Sequence, residues 1–535
     1  MPFVSVFGLF TMAAAIRICV TLAAFRLISF PIQRYDAYAY VLKALEILRG
    51  DWSPIYTHAI GLPMALAPIL RLVGGSSIFE HMTTAIIATA FMGAAITFPL
   101  AWLGRRLLFS RTATYVLLVV FATSFSMILP EVHIIVMTEP LFTLAFLITL
   151  CFIYKSSDNP WWIHAAAVTG GLAYWIRPNG IFILPILLLS YYALNRKTAH
   201  FNKWHLGLSC LIFFAVASPF LLERAAYFGS AFDYGENNEY FTDTYANAWG
   251  PAPRLTLTDY LSTHGLGEIA MKFGVRGAGI VMLYFFYSIL PISFFFFFGA
   301  GPRLKEKAWM PIWISLTIWL IGLTPVFSIY YLVRHLFPVI PLSIIVAVAG
   351  CEDLCARYEK GIATSRIRSF FLATNIIFLA TALSILFFIY LAMKKDESRI
   401  MHDGLIWSSW IRTHVRGTLA MGNGLDVAMM LFPDTTVGGE GIMNLRAPQS
   451  GLRVMYPGKF TEIVDAMPVF KKYAVTHVAL DDRVSAKRSW ILDKHLSIYD
   501  GKFFPPYLEE IYSNYGTNSQ WKVRIFKINW KEYKR

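Results

Sequence analysis

Long apolar runs alternate with short polar stretches over the first three-quarters of the chain. The runs lie at 3–25, 81–103, 112–130, 135–155, 161–176, 178–194, 204–222, 278–299, 308–327, 335–352 and 369–392. Crossing a bilayer takes about 20 apolar residues, so the pattern predicts about 11 spans. The runs at 161–176 and 178–194 are short, and read as tilted spans or a re-entrant pair; either way the chain returns to the side it left. The stretch 59–74 carries Pro63, Pro68 and Arg71, and is expected to be embedded or interfacial instead of spanning. Between Tyr35 and Arg49, apolar residues at Tyr38, Val41, Leu42, Leu45 and Leu48 follow helical spacing with one stripe. That predicts a helix lying along the membrane surface, broken by Gly50-Asp51-Trp52-Ser53-Pro54. After residue 393 hydropathy falls. Strands are expected at 418–421, 475–480 and 521–528, with a helix over 460–473, which makes a small α/β domain of ordinary size.

Composition agrees with the membrane class. The 535 residues are 56% hydrophobic and 15% charged, against about 25% charged in soluble proteins. The formal net charge of +14 would suit nucleic acid. The distribution of that charge argues otherwise. Arg105, Arg106 and Arg111; Lys155; Arg196, Lys197 and Lys203; Arg303, Lys305 and Lys307; and Arg357, Lys360, Arg366 and Arg368 all fall in alternate loops. By the positive-inside rule those loops face the cytoplasm, and no nucleic-acid partner is expected. The remaining loops face outward. The expected organisation is a membrane domain over 1–393, with outward loops 31–80 and 223–277, and an extracytoplasmic α/β domain over 394–535. The expected location is the plasma or inner membrane. No charged segment precedes the first run, so a cleaved signal is not expected. Arg17 lies well inside that run and must reach an interface or a partner. Cys351 and Cys355 lack a second ligand pair nearby, which argues against structural zinc.

The candidate chemistry gathers on the outward side. Asp36 opens the first loop at the amino end of the expected surface helix, a favoured place for a helix-capping Asp as well as for a functional carboxylate. Asp51 sits in a turn where Asp is common. Glu139, in Thr138-Glu139-Pro140-Leu141-Phe142, stands at the start of a span, where it suits the helix dipole. Two outward acids can share general-base work, orient a hydroxyl or hold a divalent metal. Arg177, in Arg177-Pro178-Asn179-Gly180, is placed to bind phosphate with its planar fork or to anchor lipid head groups. Arg334-His335 is a second such site, with an imidazole able to titrate or donate a hydrogen bond. The loop 223–277 holds Asp233, Tyr234, Glu236, Asn237, Asn238, Glu239, Tyr240, Asp243, Tyr245 and Trp249, a mixture that suits a polyol or interfacial packing. The terminal domain shows no nucleotide motif.

Taken in order, these residues resemble the GT-C fold membrane glycosyltransferases, nearest the protein O-mannosyltransferase and aminoarabinose lipid A transferase group. The resemblance is carried by Arg17; Asp36 with Tyr40, Ala44, Leu45 and Gly50; Thr138 to Phe142; Arg177 to Gly180; and Arg334-His335 with Pro338 and Pro341. It spans residues 1–350, and an outer terminal domain fits it. Asp36-Ala37 stands where some relatives have two adjacent acids. There is no Trp-Trp-Asp run; Trp161-Trp162 is followed by Ile163 on the basic side, which argues against oligosaccharide transfer to asparagine. The resemblance implies an inverting transfer of a sugar from a polyprenyl-phosphate donor to a hydroxyl of a glycan, lipid or protein acceptor. In it Asp36 would be the base, with Glu139 as the second acid. The substrate- and phosphate-binding set would be Arg177, Arg334, His335, Tyr35, Tyr40 and His58. The rival classes are a flippase for lipid-linked sugars and a non-catalytic membrane subunit. Flippases often show repeats or midplane polar sites, and neither is evident here.

Overall fold

The computed structural model describes residues 3–27, 35–52, 59–75, 78–123, 136–198, 201–228, 231, 257–289, 292–329, 333–359, 403–404, 406–421, 436–439, 443–447, 452–455, 463–481, 505–514, 517–518 and 523–533. The expected span at 369–392 and residues 229–230 and 232–256 of the loop 223–277 lie outside them.

Helices α1 (Phe3–Leu27), α2 (Tyr35–Leu48), α3 (Gly61–Val73), α4 (Ile78–Ala95), α5 (Thr97–Leu107) and α6 (Arg111–Thr123) come first. They are followed by α7 (Glu139–Lys155), α8 (Trp162–Ile176), α9 (Ile183–Asn195) and α10 (Lys203–Phe228). The bundle continues with α11 (Leu257–Thr263), α12 (Ala278–Ser288), α13 (Ser293–Arg303), α14 (Met310–Phe327) and α15 (Ile340–Glu359). Among the described residues, five helical stretches are long and apolar enough to cross a membrane: Glu80–Leu107, Pro178–Asn195, Lys203–Ala226, Leu266–Ser288 and Lys307–Phe327. The chain is a multi-pass membrane protein. Helix α3, with 13 residues, is about 20 Å long at 1.5 Å per residue, too short to span the roughly 30 Å hydrocarbon core.

The structure redraws one expected boundary. Helix starts at Leu266, inside the stretch read as outer loop, and passes through a π-helical segment, Ala270–Gly277, into α12. The wide turn ends at Gly277, where a Cβ would run into the carbonyl of Thr324 on α14. The apolar run read as one span from 278 to 299 is two helices, α12 ending at Ser288 and α13 beginning at Ser293. Helix α13 then crosses α15 backbone against backbone at Gly299 and Gly350, where any side chain would collide.

The basic loops collect at one end of the bundle. Arg106 contacts Asp158 at 3.2 Å, the Tyr154 hydroxyl donates to the carbonyl of Ala308, and Arg303 takes Asp353 in a two-point pair. Glu139, Arg177 and Arg334 lie at the other end, because α7 starts where α8 finishes and where the chain passes from α14 to α15.

The terminal domain is a seven-stranded sheet ordered β2-β3-β4-β1-β5-β7-β6. Its strands are β1 (Gly417–Met421), β2 (Thr436–Gly439), β3 (Met443–Ala447), β4 (Leu452–Met455), β5 (Val475–Asp481), β6 (Leu508–Ser513) and β7 (Val523–Ile528). Its centre, β4-β1-β5, is parallel, and both flanks are antiparallel. Alternate residues serve opposite faces, as the strand period requires. Ala420, Val478, Leu480 and Phe526 pack with Met467 and Phe470 of α17 (Ile463–Lys472); α16 (406–414) carries Trp407 and Ile411 into the core of Leu419, Val454 and Ile525. That second core runs unbroken into the helical bundle. Helix α2 packs against α3 and α4 and against β2 of the terminal sheet, which buries most of its residues.

Candidate active site

The site begins where α7 begins. Pro140 fits the first turn, where its missing N–H costs nothing. Thr138 does not cap the helix. Its backbone is already helical, and its hydroxyl lies 3.5 Å from Oε2 of Glu139. Glu139 is 1% exposed.

Arg177 reaches this carboxylate because α8 ends abruptly. Arg177 is extended, with φ −149° and ψ 139°, and Pro178 starts a short 3-10 turn. The turn closes tightly: a Cβ on Gly180 would meet the backbone of Tyr174 at 2.6 Å, and one on Gly61 of α3 would meet the backbone of Trp175 at 2.7 Å. Held there, Arg177 Nη1 lies 2.7 Å from Glu139 Oε1. The N–H does not point along the contact, so this is a close charge pair and not a well-formed hydrogen bond.

The third part of the site is the 3-10 turn Val333–Leu336. Arg334 Nε is 3.9 Å from the same Oε1, and its Nη1 lies 3.8 Å from the sulfur of Met137. His335 Nδ1 is 3.3 Å from Arg177 Nη2. Trp319 of α14 fixes the turn by donating its indole N–H to the carbonyl of His335 at 2.9 Å, and is itself wedged between Phe142 and Phe182. A guanidinium only donates, so Nδ1 must accept and the imidazole proton sits on Nε2. Burial, then the charges of Arg177 and Arg334, push the imidazole well below its ordinary range. His335 is therefore neutral and adds no third cation to the two arginines that meet Glu139.

A pH consequence follows with a definite sign. Below about pH 6.5, the ordinary imidazole value, the unfolded chain takes up a proton at His335 that the folded chain refuses. Stability is thus fully present above that value and declines as the pH falls. The expected result is a steeper loss of melting temperature between about pH 7 and about pH 5 in the parent than in His335→Gln. Equal slopes would mean that the folded state protonates His335.

The sequence-level site is thus brought together in part. Glu139, Arg177, Arg334 and His335 meet. Asp36 lies in the first turn of α2, where helical spacing puts it on the face of Tyr40 and Lys43; Tyr40 is buried. The side chains of Asp36 and Tyr35, and all of His58, lie outside the described residues. Sequence reasoning missed Lys43 and Glu46. Lys43 Nζ is 3.0 Å from Glu46 Oε2 and 3.5 Å from Asp51 Oδ1, with Lys43 and Glu46 both buried. The signal was available, as two opposite charges three residues apart inside a strongly apolar stretch. The pairing also gives Asp51 a structural partner. Among the described residues, no three His, Cys, Asp or Glu side chains are grouped so as to hold a metal ion.

No family model matches the sequence, and no curated protein does. Solved structures do. The chain is similar to ArnT from Cupriavidus metallidurans bound to undecaprenyl phosphate, with 13% identity and TM-score 0.52, covering 97% of this chain and 99% of that one. The apo state of the same protein gives 12% identity and TM-score 0.55, with 97% and 98% covered. The archaeal oligosaccharyltransferase AglB from Archaeoglobus fulgidus, in complex with an inhibitory peptide and a dolichol-phosphate, gives 13% identity and TM-score 0.52 over 88% of this chain and 69% of that one. At such identities the likeness is one of fold. The protein has the GT-C fold, as the ordered motifs led us to expect.

Proposed function

We propose that the protein is a glycosyltransferase that moves a sugar from a polyprenyl-phosphate donor to an acceptor hydroxyl at the outer face of the plasma or inner membrane, with inversion at the anomeric carbon. The observation that carries this reading is the convergence of Arg177 and Arg334 on one point at the end of the bundle away from the basic loops. Two guanidinia from distant segments, with an apolar bundle beside them, suit the phosphate of a membrane-held lipid. The undecaprenyl phosphate bound in ArnT and the dolichol-phosphate in AglB support a ligand of that class.

In this mechanism the acceptor hydroxyl attacks the anomeric carbon as Asp36 takes its proton. The bond from that carbon to the phosphate oxygen breaks, and the charge arriving on the phosphate is met by Arg177 and Arg334. His335, kept neutral, directs Arg177 without adding a third cation. Glu139 is assigned as the counter-ion of the two arginines and not as a second base, because its carboxylate is committed to them. Tyr35, Tyr40 and His58 are assigned to receiving the sugar and acceptor, as the family resemblance implies.

Incubating the purified protein with a panel of polyprenyl-phosphate sugars should liberate polyprenyl phosphate from at least one donor when acceptor is supplied. A flippase would move such lipids without cleaving them. For orientation, a cysteine at Asn444 in β3 should react with an impermeant thiol reagent on intact cells, and one at Lys197 should not. Labelling of both from the same side would undo the topology on which the outward site depends.

A further inference from the structure

We propose that Glu139 is a resident stand-in for the lipid phosphate: it holds Arg177 while the site is empty, yields it to the phosphate, and takes it back to expel the product. This rests on lipid phosphate binding at Arg177 and Arg334.

The chain itself shows the contrast. At the opposite end of the bundle, Arg303 is tied down for good. Its Nη1 and Nη2 engage both oxygens of Asp353, and the guanidinium is packed over the rings of Phe109 and Trp309 at 5.6 and 5.1 Å. That two-point geometry is the strong form of an arginine–carboxylate pair. Arg177 has the same kind of partner but not that geometry. Its closest contact with Glu139, Nη1 to Oε1, is out of line for a hydrogen bond, and Nη2 goes to His335. A guanidinium carries five N–H donors, so Arg177 keeps N–H groups to offer phosphate oxygens beyond these two contacts. The Arg177 side chain also keeps 15% of its surface exposed, where that of Arg303 keeps 1%.

Charge explains why a carboxylate stands there at all. Without Glu139, the guanidinia of Arg177 and Arg334 would lose the carboxylate oxygen on which both converge, and the site would be one unit more positive. Such a site would hold any lipid phosphate tightly, the product included. Glu139 lowers that charge by one unit and offers Arg177 an alternative anion. Binding becomes an exchange of one anion for another, which lets the product leave.

The test is the affinity of Glu139→Gln for polyprenyl phosphate in detergent micelles, beside the parent and Arg177→Ala. Glu139→Gln should bind about tenfold more tightly, a discounted figure for one unit charge a few ångströms away. Turnover should drop together with the KM for donor, as slow product release requires. A residue that only shaped the site would instead raise KM or weaken binding. Unchanged or weaker binding in Glu139→Gln, with parent binding that still depends on Arg177, overturns the stand-in role and leaves the proposed function standing. Parent binding that is absent, or indifferent to Arg177→Ala, defeats the functional reading itself. Should Glu139→Gln not accumulate, Glu139→Asp carries the same question. Its carboxylate sits one methylene farther from Arg177, so binding should tighten by a few fold; no tightening is the contrary result.

Discussion

Asp36→Asn should abolish most of the transfer, with a loss of at least about a hundredfold, the low end of what general-base help contributes. Its place is the first turn of α2, on the face shared with Tyr40 and Lys43. Asn is close in shape and caps a helix about as well as Asp, but it cannot accept the acceptor's proton. A purely capping Asp36 therefore predicts near-parental activity from this variant, and a base predicts its loss. Expression and melting temperature should stay near the parent in both cases, because α2 is held elsewhere: by burial of Val41, Leu42 and Ala44 and by the Lys43–Glu46 pair. Full transfer by Asp36→Asn at the parental rate would remove the base from the mechanism.

Arg177→Ala should also cost at least about a hundredfold in transfer, the order found when a donor to developing charge is removed. It leaves Glu139 buried without its nearest cation, and breaking a buried pair in this way is destabilising by about 3–5 kcal/mol. Arg177→Lys separates the two effects. It keeps the charge beside Glu139 and so should keep the fold, but it loses the planar two-point donor. Donor use should weaken while inserted, folded protein is recovered at parental yield. Parental transfer and donor affinity in Arg177→Ala would show Arg177 to be an interfacial anchor.

Much of this was legible in the chain. The spacing of Tyr38, Val41, Leu42 and Leu45 gave α2, and the Pro178-Asn179-Gly180 turn placed Arg177 between two runs. Strands β1, β5 and β7 and helix α17 fall within a few residues of where the sequence puts them. Strands β2, β3, β4 and β6 were not read. They are four to six residues long and carry Gly438, Gly439, Arg446, Arg453, Glu509 and Glu510, so neighbouring strands and not local pattern define them. The joining of Glu139 to Arg177 and His335 was likewise hidden, since Arg177 and His335 are 158 positions apart. Which residues face each other across helices depends on close approaches such as Gly61 on Trp175 and Gly299 on α15. A stretch of hydropathy carries no record of those. The Leu266 start of the α12 span was obscured by Glu268, Lys272 and Arg276, charges that a π-helical entry tolerates at its exposed side.

The most direct measurement is a structure of the protein with polyprenyl phosphate bound. The account predicts the phosphate at the end of the bundle that carries α7's first turn, with oxygens within about 3 Å of Arg177 and of Arg334, and the Arg177–Glu139 contact of 2.7 Å lengthened. A phosphate seated away from Arg177, with that contact unchanged, would contradict it.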